Sequence, residues 1–463
     1  MLVSFSVSNF RSFGEEVTLN MVASNKLPDH PHHRIPIGET GHFVLRSCVA
    51  YGANAAGKSN LVRAISVAQD LIRERTERIS PVEPFRFQKL TTKTPTSFEF
   101  RILVQDRVFI YGFDILVNRF TSEWLAVVDG EIEVEIFTRD EKGISAVQSD
   151  AARRFLDDNA CKTLNILKSL PLRRDQLLLN RACALPKEAQ GKMLARIIDW
   201  FTDDLIVLRP NHRTCDIIER LSDNETFRNF CAQFLSNAGT GVGDLEVDKN
   251  VRQCEEFEKH YLEFIESQGT RSFPMFGCDS DTDICPSPDD PHLIIVRKLL
   301  ASHTTPSQKY SLPFCEESDG TQSLLHLMPI LSSPPEQSRV FVIDELDRSL
   351  HPLICWEFIR FFSNSCIGSR KQLIVTTHEA HLLDQELLRR DEYWFVEKDE
   401  LQQSKLVSLS EFNVRKDLQV QKGYLAGRFG AIPVIGGMQS LERLLECNNQ
   451  EEANAAEETP TES

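Results

Sequence analysis

Nowhere in these 463 residues do two cysteines stand as a C-x-x-C pair, although the chain has 12 of them. They fall singly among apolar neighbours, and the nearest two, Cys278 and Cys285, lie in an acidic stretch. That spacing excludes a zinc ribbon or finger and reads as free thiols in a reducing compartment. No apolar run approaches the roughly 18–20 residues of a membrane span. Met1 to Val7 alternate like a strand and lack the basic start and long apolar stretch of a signal peptide. A soluble cytoplasmic protein without membrane contact is expected. Positive charge is short as well. Against 68 Asp and Glu there are 52 Lys and Arg, a formal net charge of −16. Such a balance excludes a general nucleic-acid coat and leaves direct nucleic-acid contact only to a local groove. Arg73, Arg75 and Arg78 are a candidate patch, but Glu74 and Glu77 interleave and make them read as a solvated helix face. Internal repeats and long heptad runs are missing too, which excludes a solenoid and an extended coiled coil.

What is present begins with size. A hydrophobic share of 41% over this length is ample for a large core and suggests two or three domains. One stretch organises the rest: Gly52-Ala53-Asn54-Ala55-Ala56-Gly57-Lys58-Ser59-Asn60. It fits the spacing G-x-x-x-x-G-K-[ST] of a phosphate-binding loop. An apolar run, Phe43 to Ala50, precedes it, and a helical run, Ser59 to Arg75, follows. That strand–loop–helix setting is what the motif requires. Gly52 and Gly57 permit a tight turn whose N–H groups point at phosphate oxygens, and the helix N-terminus adds a favourable dipole. Lys58 is expected to reach the β- and γ-phosphates, and Ser59 to hold Mg2+.

Residues 2–22 read as two strands joined by a turn near Arg11-Ser12-Phe13-Gly14. A polar loop with Pro28, Pro31 and Pro36 follows. In it His30, His32 and His33 stand beside Asp29, a cluster that reads as a solvated loop ahead of a metal site. From Ser97 to Thr138 the pattern is strand-like, with Asp129-Gly130 as a hairpin turn. Residues 150 to about 265 switch to helical spacing and read as an inserted helical domain. The stretch 267–291, rich in Ser, Asp, Pro and Gly, reads as a loop. The expected division is therefore 1–149, an N-terminal lobe with an antiparallel sheet; 150–292, the helical insert and loop; 293–436, a C-terminal lobe; and 437–463, an acidic disordered tail.

Three further stretches carry chemistry. Val340 to Ile343 is an apolar strand ending in Asp344 and Glu345, expected beside the phosphate loop. Asp344 is placed to hold Mg2+ and Glu345 to polarise an attacking water. Leu346 to Leu350 is expected to open a helix. Leu373 to Thr377 is a second strand, ending in His378, where a histidine can contact a γ-phosphate. Glu317-Ser318-Asp319-Gly320-Thr321-Gln322 precedes an apolar helix that Ser318 can cap, and Gly320 allows close backbone approach.

In this order the motifs resemble the Walker A, signature, Walker B, D-loop and switch histidine of ABC-type ATPase heads of the SMC and DNA-repair kind. Ser318 to Gln322 stands where that superfamily carries Leu-Ser-Gly-Gly-Gln, with Glu317 in place of Leu and Asp319 in place of the first Gly. Leu346-Asp347-Arg348-Ser349-Leu350-His351-Pro352 is similar to the D-loop of the compact members, which are widespread in bacterial anti-phage systems. Asn9-Phe10-Arg11-Ser12-Phe13 and Gly423 to Pro433 resemble their N-terminal and closing motifs. The resemblance implies an α/β fold, an ABC-type P-loop head with a mixed sheet and an antiparallel β subdomain. It implies ATP and Mg2+ as cofactors, with Arg11 and Ser12 near the nucleotide. Composite sites are implied in which Ser318 and Gly320 of one copy cap ATP held by another, with Asp347 communicating between sites. Gln88 stands in a plausible Q-loop region. Implied partners are a second copy, a separate effector of toprim or HNH nuclease type, and a phage-encoded trigger. A DNA-repair ATPase acting on DNA and a transporter subunit are the competing readings; the altered signature and the terminal motifs disfavour the transporter.

Overall fold

The structure is a computed structural model. It describes residues 1–73, 82–87, 93–140, 143–145, 152–171, 173–210, 216–256, 258, 273–274, 281–288, 290, 292–334, 337–412 and 420–429. Gln88, Arg75, Arg78, Cys278 and the acidic tail, each singled out above, lie outside these residues.

Strands buried on both faces read as continuous apolar runs, whereas strands with one wet face alternate. Both kinds occur. Ser47–Gly52 and Lys371–Thr376 are buried at every position. They lie inside a six-stranded sheet ordered Leu205–Leu208, Arg339–Ile343, Lys371–Thr376, Ser47–Gly52, Tyr393–Lys398, Ser404–Ser408. The first five run parallel and the last is antiparallel. Period-two alternation divides this sheet between two cores. Val340, Val342, Ile374, Cys48 and Ala50 join one core, together with the helix Lys58–Arg73. Phe341, Ile343, Leu373, Val375, Val49 and Tyr51 join the other, with the helices Asp319–Leu331 and Pro352–Ser365.

A seven-stranded antiparallel sheet shares the first core. Its order is Gly143–Ser145, Ile132–Asp140, Arg119–Asp129, Arg107–Leu116, Thr96–Val104, Leu2–Ser8, Val17–Asn20. Phe5, Phe98, Phe100, Tyr111 and Phe113 form its buried aromatic face. Gln372 ties the two sheets: its side-chain oxygen accepts from Leu2 N at 2.8 Å, and its amide donates to Leu2 O and Leu45 O.

The stretch read as helical contains helices at Asp158–Ser169, Leu178–Cys183, Lys192–Asp199, Ile217–Asp223 and Glu225–Asn237. Glu123, fully buried on the antiparallel sheet, accepts from Leu178 N at 2.7 Å and Leu179 N at 3.0 Å and so holds the start of one of them. The same stretch also supplies strands. Leu205–Leu208 is the edge of the six-stranded sheet, and Asp244–Gln253 pairs with the long strand Leu293–Thr304. Thr282–Pro286, expected to be loop, is a strand paired with Leu293–Thr304, because Ile284 is buried in a small core with Ile294 while Asp283 binds Arg297.

Candidate functional site

The phosphate-loop sequence ends the strand Ser47–Gly52 and begins the helix at Lys58. Ala55 (φ 61°) and Gly57 (φ 123°) hold the loop in left-handed backbone. A Cβ on Gly57 would lie 2.2 Å from Ser404 Oγ and 2.9 Å from Ser12 Oγ, and one on Gly52 would lie 2.4 Å from Val396 O. Both glycines are thus required by close approach. Asn54, Ala55 and Ser59 are exposed, while Ala56, Gly57 and Lys58 are buried.

The Lys58 ammonium donates to Gly52 O at 2.7 Å and Ala53 O at 3.2 Å and lies 3.4 Å from His378 Nδ1. Among the described residues it has no carboxylate within ion-pair distance. Burial pushes its pKa down to about 8, against the raising fields of Asp347, Asp344 and Glu345. Burial, then Lys58, also lowers the His378 imidazole, which favours its neutral form.

Asp344 follows the strand Arg339–Ile343. Lys371–Thr376 lies between them. Asp344 still reaches the site, because Ser59 Oγ donates to its Oδ1 at 3.2 Å. Thr376 at the end of the intervening strand donates to the same oxygen at 2.6 Å, and its Oγ1 accepts from Glu345 N at 2.9 Å. Leu346 to Leu350 forms turns where a helix was expected, and the helix starts at Pro352 with His351 as its cap. The reason is local: Glu345 (φ 55°) and Ser349 (φ 61°) leave helical backbone. Within this turn Asp347 Oδ2 accepts from His378 N at 3.2 Å, while its Oδ1 is buried without a hydrogen-bond partner.

Arg11 and Ser12 come to the other flank of the loop. Both Asn9 and Arg11 have positive φ. Asn60 joins them, donating to Ser12 Oγ at 2.8 Å and accepting from Arg11 Nη1 at 3.5 Å; Arg11 also pairs with Glu83. The structure therefore brings together Arg11, Ser12, the loop from Gly52 to Asn60, Asp344, Glu345, Asp347 and His378. Ser318 and Gly320 stand apart from the loop. Ser318 caps Asp319–Leu331 by accepting from Thr321 N at 3.2 Å, and Ser318 and Asp319 are exposed. Gly320 abuts the turn after Asp344: a Cβ there would lie 2.5 Å from Ser349 O. Glu317 is held by His303 at 2.6 Å.

Two contributors had no motif to reveal them. Ser404 donates to Ala56 O at 2.5 Å and its N–H to Ser12 O at 2.7 Å, bracing the loop from an edge strand. Thr376 orients Asp344. A small hydroxyl residue at a strand end is the sole trace either leaves in the sequence.

A parallel sheet bearing this loop at a strand end, with Asp344 and His378 on neighbouring strands and an antiparallel sheet alongside, defines an ABC-type P-loop ATPase head. The chain belongs to the family described as "AAA domain, putative AbiEii toxin, Type IV TA system", whose profile matches residues 49–159 and 236–384, over half of the chain. No match was found among curated proteins. Among solved structures, the SMC head bound to the C-winged helix domain of ScpA is similar at 14% identity and TM-score 0.39, covering 88% of this chain and 97% of that one. The SMC head domain from Thermotoga maritima gives 13% and 0.36, covering 88% and 98%. The Smc head with an extended coiled coil, bound to the C-terminal domain of ScpA and derived from Pyrococcus furiosus, gives 12% and 0.38, covering 89% and 97%. Scores of this size carry no argument of their own. No described helix is long and apolar enough to cross a membrane.

Proposed function

We propose that this chain binds ATP with Mg2+ and hydrolyses it between two copies of itself, as the sensor or scaffold subunit of a bacterial anti-phage, abortive-infection system. Through that cycle it would hold or release a separate effector, a toprim-type nuclease, in response to a phage-encoded trigger. The observation that carries the ATP reading is Lys58: a buried cation bonded to two carbonyls, with no carboxylate in reach, is what a polyphosphate would satisfy. The toxin–antitoxin wording of the family description supports the defence setting. In size and layout the chain resembles the ATPase subunit AriA of the PARIS system.

The residues fit the implied groups. Ser59 and Asp344 offer an all-oxygen pair, as Mg2+ prefers, and both hydrogen bonds to Asp344 fall on Oδ1, leaving Oδ2 for an outside partner. Mg2+ held there would supply charge neutralisation on the β- and γ-phosphate oxygens. Loop N–H groups and Lys58 would hold the phosphates, with Arg11, Ser12 and Asn60 on one flank. Glu345 would take the proton of the attacking water, and His378 would sense the γ-phosphate. Ser318 and the helix start at Gly320 would cap that phosphate in a second copy, so that ATP favours the closed pair.

Lys58→Ala is expected to abolish nucleotide binding. Glu345→Gln is expected to bind ATP, lose turnover by about 100-fold or more and accumulate a closed dimer. Turnover at the wild-type rate in Glu345→Gln would remove Glu345 from the base role. Co-purification with the product of the adjacent gene, and loss of phage protection in Lys58→Ala cells, test the defence reading.

A further inference from the structure

Three histidines in a polar, proline-bearing loop should be solvated, and here they are not. His33 is 1% exposed, and His30 and His32 are half-buried. Pro31–His33 forms a single tight turn after His30, whose backbone is left-handed at φ 47°. The turn gathers the rings, with centroids 4.5 Å apart for His32 and His33 and 4.9 Å for His30 and His33. One ligand nitrogen from each lies within 4.8 Å of the others.

The outer hydrogen bonds set the tautomers. His30 Nε2 meets Gln385 O at 2.9 Å, and a carbonyl oxygen can only accept, so Nε2 carries the proton and Nδ1 the free lone pair. His33 Nδ1 meets Glu392 Oε2 at 2.8 Å, the same oxygen that accepts from Arg389 N, so the free lone pair of His33 is on Nε2. A carboxylate or carbonyl behind each ring is the arrangement that orients metal-bound histidines. Glu392 is fully buried, and its other oxygen, Oε1, has no hydrogen-bond partner. The surrounding charges are Glu392, the Arg389–Asp391 pair and Arg46, whose guanidinium is occupied by His32 O, Ser369 O and Lys371 O. Burial, then His33, His30 and Arg46, lowers the His32 imidazole toward its neutral, ligating form.

We propose that His30, His32 and His33 form a binding site for a zinc-type divalent transition-metal ion, with water completing the coordination. Neutral imidazoles suit such an ion, and neither Mg2+ nor Ca2+ would choose three nitrogens. Ligand nitrogens around tetrahedral zinc stand about 3.4 Å apart, so the two half-buried rings must turn inward while His33 stays fixed. The ion would staple the loop to residues 385–392, the segment that follows His378.

The test uses the full chain without a polyhistidine tag, stripped with chelator and held in excess Mg2+ so that the carboxylates near Ser59 are occupied. Calorimetric titration with Zn2+ should show a single tight equivalent, and Co2+ should give the visible absorption of a tetrahedral nitrogen-rich site. The double variant His30→Ala, His32→Ala leaves the buried His33 in place. It should bind Zn2+ about 100-fold more weakly or worse, as loss of first-sphere ligands exceeds second-sphere effects, and should keep its circular dichroism and ATP affinity. Zn2+ should raise the melting temperature of the wild type alone. Equal Zn2+ affinity in wild type and double variant, or no uptake by the wild type at micromolar Zn2+, overturns the site.

Discussion

A methyl group at residue 57 would collide with two hydroxyls from distant parts of the chain, Ser404 and Ser12, while fixed at φ 123°. Gly57→Ala should therefore lose ATP binding and destabilise the fold by about 1–3 kcal/mol, read by nucleotide titration and urea unfolding; an unchanged ATP affinity would mean that the loop relaxes freely. Lys58 gives a pH-dependence. Its folded pKa, about 8, lies below the unfolded 10.5, so between these values the unfolded chain binds the extra proton. The destabilisation from this burial is complete below pH 8 and relieved as pH rises through that window. Polyphosphate would pull the pKa back up. ATP binding near pH 8 should thus take up a proton and weaken above it, checked by calorimetry in buffers of different ionisation heat. At this scale the loop was readable because its spacing is fixed and local. Ser404, Thr376 and the buried His33 were not, since each owes its role to a partner far along the chain and shows an ordinary polar letter in the sequence.

Strands were legible wherever period-two alternation or a fully apolar run was long enough, as in Thr96–Val104 or Arg339–Ile343. The turn at 344–351 was not, because left-handed backbone at Glu345 and Ser349 has no glycine to announce it. The order of strands also escaped, since hydrophobicity does not tell which parallel neighbour is which. The closing motif acquires an element-scale role: Phe395 on Tyr393–Lys398 stacks on Tyr424 and Phe429, each with centroids 5.6 Å away, and Phe412 meets Phe429 at 5.3 Å. Phe429 is 5% exposed. Phe429→Ala should cost about 3–5 kcal/mol, seen as a lower urea midpoint with an unchanged slope. A loss below 1 kcal/mol would leave that stack without a stabilising role.

For the whole molecule, the separation of Ser318 from Lys58 is the decisive arrangement. An exposed helix start with no phosphate loop in front of it suits a partner copy. Ser318→Glu would place a carboxylate where the γ-phosphate of that copy should arrive. ATP should still bind the variant in which Glu345→Gln is combined with Ser318→Glu, while ATP-driven dimerisation in light scattering should vanish. A dimer that persists would show the cap to be elsewhere.

One short contact sets a limit on how such a pair can behave. His378 gives its backbone N–H to Asp347, so the residue that watches the third phosphate and the turn beside the neighbour's cap share a proton donor. Neither can shift without tugging the other. Two pockets joined in this way would keep common time, and an empty pocket would silence a full one.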